Sequence, residues 1–380
     1  MLILERQVAL PGGTREWERH QRWKLRFLLK HQARLAALGY GVCLGFRDKI
    51  LLYEGAGREM IDFCNDHGIG WMWHPPYNTV FGIGQTGKVT NHLLRVMDAA
   101  KDLKDLGMQC LVVHPDAAQD VAAANRPGFY HSLLSAGEYL LFLERQLLAL
   151  SEVQEACGGL LVLENVHTEL YGTIGEGEAL RYFLYNALQS GYLELPWIAD
   201  WLKVGLAFDA DHFLGARNFL FRQGHALGIP LPPTFGKPYR WSEDQRELEE
   251  RSGILLVKGQ PPAGTRYLSL QEYLTLLKPQ VIHLDGAADL MNAQGEMSGH
   301  LGFDLRKSRE RQSLLVQVAW VETYGGILEV ENDGRLPGYS QDHPLSDRYV
   351  KQYLFLQTVR AIERFRSGDQ RYQPDPEFAL

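Results

Sequence analysis

Short apolar runs alternate with longer stretches of helical periodicity along most of this 380-residue chain. The runs are Tyr40–Phe46, Gly70–His74, Gln109–His114, Leu160–Glu164, Val204–Asp209, Val281–Leu284 and Ile327–Glu331. Helix-like stretches lie between them, among them Lys88–Leu106, Leu133–Ala156, Glu178–Leu188 and Arg309–Thr323. Such a rhythm predicts a parallel sheet with its helices outside, because parallel neighbours need a crossover long enough to hold a helix. No Gly-rich phosphate turn of the kind that opens a doubly wound sheet is present, so the expected fold is α/β, a (β/α)8 TIM barrel. These runs leave one strand of eight to be found, and Leu2–Val8 is the first candidate.

Two segments stand apart from the rhythm. Residues 1–37 read as an N-terminal helical extension, with one amphipathic helix over 14–37 that carries Arg15, Arg19, Arg22, Lys24, Arg26, Lys30 and Arg34. The expected role is a solvated helix covering the barrel, and contact with a polyanion is the sharper alternative. Residues 226–266 are rich in proline and glycine and include the charged run Glu243–Arg251. That is too long for a barrel connection and reads as an inserted loop or lid within one domain spanning 1–380.

Composition narrows the setting. With 45% hydrophobic residues the chain can bury a large core, yet no run of eighteen apolar residues could span a membrane. Glu5 and Arg6 interrupt the only apolar stretch near the start, so it does not read as a secretory leader. Cys43, Cys64, Cys110 and Cys157 form no C-x-x-C pair or disulfide framework, which fits a soluble protein of the reducing cytoplasm. A net charge of -7 gives no general attraction to nucleic acid.

The chemistry is suggested by where the runs end. His74, His114, Glu164, Asp209, His283 and Glu329 each close or nearly close an apolar run. In a parallel barrel the C-terminal strand ends meet at one mouth, where active sites are built. Buried imidazoles and carboxylates are costly unless paired or metal-bound, so six such endings in series point to a metal. A His and carboxylate shell without thiolates suits zinc, manganese, cobalt or iron. His212 lies three residues after Asp209, where it can ligate or touch substrate. Asp285 shares strand parity with His283 and can orient it, and Glu331 shares parity with Glu329, the preferred ligand. His300, in Gly299-His300-Leu301-Gly302, is a further candidate for the mouth.

Taken in order, these segments resemble the xylose isomerase-like barrel superfamily. It holds sugar and sugar-phosphate isomerases and epimerases together with endonuclease IV (AP endonuclease family 2) and the UV damage endonucleases. His74-Pro75-Pro76-Tyr77 looks like its His-Ala-Pro-Tyr, Val112-Val113-His114-Pro115 like its Val-His-Pro-Gly, and Leu163-Glu164-Asn165 like its Glu-Asn strand end. Asp209 with His212 looks like its Asp-x-x-His, His283-Leu284-Asp285 like its His-Leu-x-Asp, and Leu328-Glu329 like its closing Leu-Glu. The resemblance runs from about Tyr40 to Asn332.

In the epimerase branch the resemblance implies one divalent ion on Glu164, Asp209, His283 and Glu329. Glu164 and Glu329 would then be the catalytic carboxylates that move a proton on and off the sugar carbon. His74, Tyr77, His114, His212, Asp285 and His300 would contact substrate. That branch places an Arg soon after the His strand, where this chain reads Gly286-Ala287-Ala288-Asp289. In the nuclease branch His74, His114 and His212 would be additional ligands of a cluster of two or three ions, Tyr77 would press into DNA, and the substrate would be DNA. The favoured expectation is a metal-dependent sugar or sugar-phosphate isomerase or epimerase. A DNA-directed metal-dependent phosphodiesterase is the alternative, and a homo-oligomer is left open.

Overall fold

The computed structural model describes residues 2–5, 14–46, 56–75, 91–113, 148–164, 202–210, 270–284, 305, 308–331 and 346–374. Its strands are β1 (Leu2–Glu5), β2 (Val42–Phe46), β3 (Gly70–Trp73), β4 (Leu111–Val113), β5 (Leu161–Glu164), β6 (Gly205–Asp209), β7 (Val281–His283) and β8 (Ile327–Glu331). Each pairs in parallel with the next, and β8 pairs in parallel with β1, so the sheet closes into a barrel. The helices among the described residues include α1 (Thr14–Ala37), α2 (Ala56–Asp66), α3 (Asn91–Asp105), α4 (Leu270–Leu277), α5 (Ser308–Tyr324) and α6 (Ser346–Arg366). The eighth strand is thus Leu2–Glu5, the front of the expected segment. It makes Thr14–Ala37 the helix of the first strand–helix unit rather than an appendage to the barrel. The 226–266 segment and Glu178–Leu188 lie outside the described residues.

Short of the ionisable residues at their C-terminal ends, the strands β2 to β8 are apolar because both of their faces are covered. Outward positions carry the large side chains Phe46, Trp71, Trp73 and Phe208, all fully buried in the layer between sheet and helices. Inward positions carry smaller ones: Cys43, Met72, Cys110, Val112, Val162, Ala207 and Val281 form a separate cluster, with Ile327 packed against it. Gly70 and Gly205 share the parity of this inner set. A Cβ on Gly205 would stand 2.4 Å from Gln280 Oε1, and one on Gly70 2.5 Å from Gln109 Oε1, so glutamine side chains occupy that space. The lumen is therefore a packed core.

Closure also depends on the helices. Phe27 of α1 meets Phe355 of α6 edge-on at 5.0 Å, and Arg34 forks onto Glu363 with two contacts of 2.8 Å. Arg366 of α6 pairs with Glu322 of α5, which also accepts from the Tyr40 hydroxyl. The expectation of a solvated basic face on α1 needs one correction. Arg22 does reach solvent, paired with Glu18 and Glu59, but Lys24 is only 1% exposed and its Nζ donates to Gly45 O at 3.3 Å. Lys24 shares the helical phase of Gln21 and Leu28, which face the barrel. No helix among the described residues is long and apolar enough to cross a membrane.

Candidate metal centre

The site is built by continuing the inner strand faces by one step. Two residues beyond Met72, Val162, Ala207, Val281 and Ile327 come His74, Glu164, Asp209, His283 and Glu329. Side chains two apart on a strand share a face, so all five stand at the C-terminal end of the lumen. Register sets their heights. Asp209 pairs with His283 and His283 with Glu329, which puts three Cα atoms in one row across β6, β7 and β8. Glu164 pairs with Ala207, two residues earlier on β6, the stagger expected of tilted barrel strands. Backbone bonds hold two of the positions: His74 N donates to Phe46 O at 2.8 Å, and Leu284 N donates to Glu329 O at 2.6 Å.

All five side chains are fully buried. His74 Nε2 lies 3.2 Å from Glu164 Oε2, and His283 Nδ1 lies 3.3 Å from Glu164 Oε1 and 3.9 Å from Asp209 Oδ2. On the other edge of the ring, His283 Nε2 lies 3.0 Å from Glu329 Oε2. Donor atoms of His74, Glu164 and His283 all fall within 4.8 Å of one another. The two imidazole rings are 5.6 Å apart between centroids.

Charge decides what this arrangement can hold. Among the described residues, three carboxylates against two imidazoles leave at least one excess negative charge even when both rings are protonated. Several kcal/mol per buried ion oppose such an excess, by order of magnitude. A divalent cation removes it, and oxygen and imidazole nitrogen donors without sulfur suit a borderline ion. On the Nδ1 side of His283, separations of 3.2–3.9 Å between donors also match the edges of a coordination shell with bonds of about 2.0–2.2 Å. The donor set therefore fits a metal.

His74, expected as a substrate contact or an additional ligand beside the four, has its donor atom within 4.8 Å of those of Glu164 and His283. Tyr77, His114, His212, Asp285 and His300 lie outside the described residues, as does the Glu331 side chain. A further feature was not anticipated. Directly beneath the ionisable layer sits sulfur, with Cys110 Sγ 3.9 Å from Met72 Sδ. Burial, then Cys110 and the Glu329 carboxylate, push the Cys43 thiol well above its ordinary range. The shared parity of Met72 with His74, and of Cys110 with His114, was the available signal.

No protein-family model matches the chain, and no curated protein matches it. Solved structures do. The chain is similar to a D-psicose 3-epimerase with D-tagatose from Clostridium cellulolyticum H10, at 10% identity and a TM-score of 0.46, covering 95% of this chain and 98% of that one. It is similar to SacUVDE, at 10% identity and a TM-score of 0.46, covering 96% and 98%. It is also similar to a xylose isomerase-like TIM barrel protein from Mycobacterium smegmatis in complex with magnesium, at 14% identity and a TM-score of 0.41, covering 93% and 91%. The fold assignment itself rests on the closed strand pairing.

Proposed function

We propose that the chain is a divalent-metal-dependent sugar or sugar-phosphate isomerase or epimerase of the cytoplasm, working by proton transfer between Glu164 and Glu329. The observation that carries this reading is the placement of these two buried carboxylates on opposite ring nitrogens of His283, at 3.3 and 3.0 Å. Glu164, Asp209, His283 and Glu329 would hold the ion, with His74 beside Glu164. His283 can offer an ion only one nitrogen, so the glutamate now beside its other nitrogen would have to swing onto the ion to complete that set. The bound ion would polarise the carbonyl next to the carbon that loses its proton.

The residues do the rest. One glutamate removes the proton from the carbon beside the carbonyl. If the other returns a proton to the opposite face of that carbon, the product is the epimer. Return to the neighbouring carbon gives the isomer. The apolar floor of Val162, Ala207 and Val281 closes the lumen beneath the carboxylates and keeps bulk water from that side.

Elemental analysis of the native protein should give one ion per chain. Glu329→Gln should cut kcat by roughly 10²–10⁴-fold, the usual worth of a general acid or base, with KM nearly unchanged. The wild type should carry solvent deuterium into the substrate carbon. An active sugar that acquires no deuterium would remove proton transfer from consideration.

One observation favours a second reading, a metal-dependent phosphodiesterase acting on DNA. His74 joins the buried group at 3.2 Å from Glu164, where a further ion would need it. Two or three ions per chain and nicking of damaged duplex DNA would support that activity instead.

A further inference from the structure

A second concavity lies on the outside of the barrel, between α5, α6 and the short 3-10 turn Gln370–Tyr372. Its volume is about 700 Å³, within the usual range for small-molecule sites. Arg311 comes to it from α5, Arg360 from α6 and Arg371 from the turn, and among the described residues none that lines it is acidic. In a chain of net charge -7, three guanidinium groups on one concave surface are a local reversal of sign.

The arginines differ in their engagement. Asp369 accepts from Arg371 Nε at 3.0 Å and from Nη2 at 2.8 Å, and it caps the turn by accepting from Arg371 N at 3.1 Å. That holds one edge of the guanidinium, while the Arg371 side chain stays 80% exposed. Among the described residues no carboxylate pairs with Arg311 or Arg360, both exposed and both lining the same space. Tyr353 and Tyr372 line it as well. Planar guanidinium forks match the oxygens of a phosphoryl group, and tyrosine rings offer faces to a planar heterocycle.

We propose that this pocket binds a phosphorylated small molecule with a planar ring, of the nucleotide class. Arg311, Arg360 and Arg371 hold the phosphoryl oxygens, while Tyr353 and Tyr372 flank the ring. The site is separate from the barrel mouth and does not depend on the reaction carried out there.

Isothermal titration of the full-length, metal-loaded chain with AMP, inorganic phosphate and citrate tests this. AMP should bind saturably at one per chain, with phosphate and citrate at least roughly tenfold weaker. Each lost guanidinium–phosphate contact is worth about tenfold or more, so Arg311→Gln with Arg360→Gln should weaken AMP by roughly a hundredfold. Metal content and unfolding temperature should not move. The single variant Arg360→Gln provides the same test with a smaller change. Absence of saturable AMP binding overturns the proposal. So does AMP binding that survives the double variant or disappears on chelation, since either places the nucleotide elsewhere. Citrate binding as tight as AMP also overturns it, by reducing the pocket to a general anion trap.

Discussion

Glu164→Gln distinguishes two accounts of the buried cluster, because they require stability changes of opposite sign. The Glu164 carboxylate touches both imidazoles, His74 at 3.2 Å and His283 at 3.3 Å, and is itself fully buried. Were the cluster a structural ion-pair network, its removal would strand buried imidazolium charge and cost about 3–5 kcal/mol. As a metal site, the metal-free protein carries three carboxylates against two imidazoles. A neutral isostere of the same shape relieves that excess, and the metal-free variant should gain on the order of 1–3 kcal/mol. The response to metal should change in the other direction. Wild type should gain about 4 kcal/mol when free ion exceeds its Kd a thousandfold, whereas the variant, one ligand short, should gain less than about 1 kcal/mol. Urea unfolding with EDTA and with added zinc or manganese measures all four free energies. A metal-free variant about 3 kcal/mol less stable than metal-free wild type, with an unaltered metal response, would refute the argument.

The remaining predictions concern metal count, backbone and pH. His74→Ala combined with His114→Ala should leave one tightly bound ion by elemental analysis, and loss of a second ion would favour the phosphodiesterase reading. Gly326→Ala should cost about 1–3 kcal/mol in urea unfolding, because its φ of 133° suits only glycine and a Cβ there would stand 3.0 Å from Gln280 O. The Arg34 guanidinium holds the Glu363 carboxyl below its ordinary value, so this pair adds stability above that value and loses it as pH falls through the lowered one. Both side chains are more than a third exposed, so Arg34→Gln should cost only about 0.5 kcal/mol at pH 7, and the difference should vanish once acid has protonated Glu363.

Periodicity and strand ends carried most of the fold and the residue types of the site. Parallel strands buried on both faces must be written as apolar runs, so those from Val42–Phe46 to Ile327–Glu331 could be read without coordinates. A polar residue closing such a run stands out for the same reason, as His74, Glu164, Asp209, His283 and Glu329 do. Leu2–Glu5 was harder to read, because a strand this short with a charged end carries little periodic signal. Lys24 was misread because composition marks a helix as basic, whereas phase decides which basic residue faces the sheet. Strand parity is local, so the sequence alone determined which face each of these side chains occupies. Register and closure are not local. The row of Asp209, His283 and Glu329, the stagger that offsets Glu164, the contact between His74 and Glu164, and the lining of one cavity by Arg311, Arg360 and Arg371 all bring together residues that are not neighbours in the chain. Only the closed barrel and its packed helices fix those distances, and it is the distances that turn separate polar residues into sites.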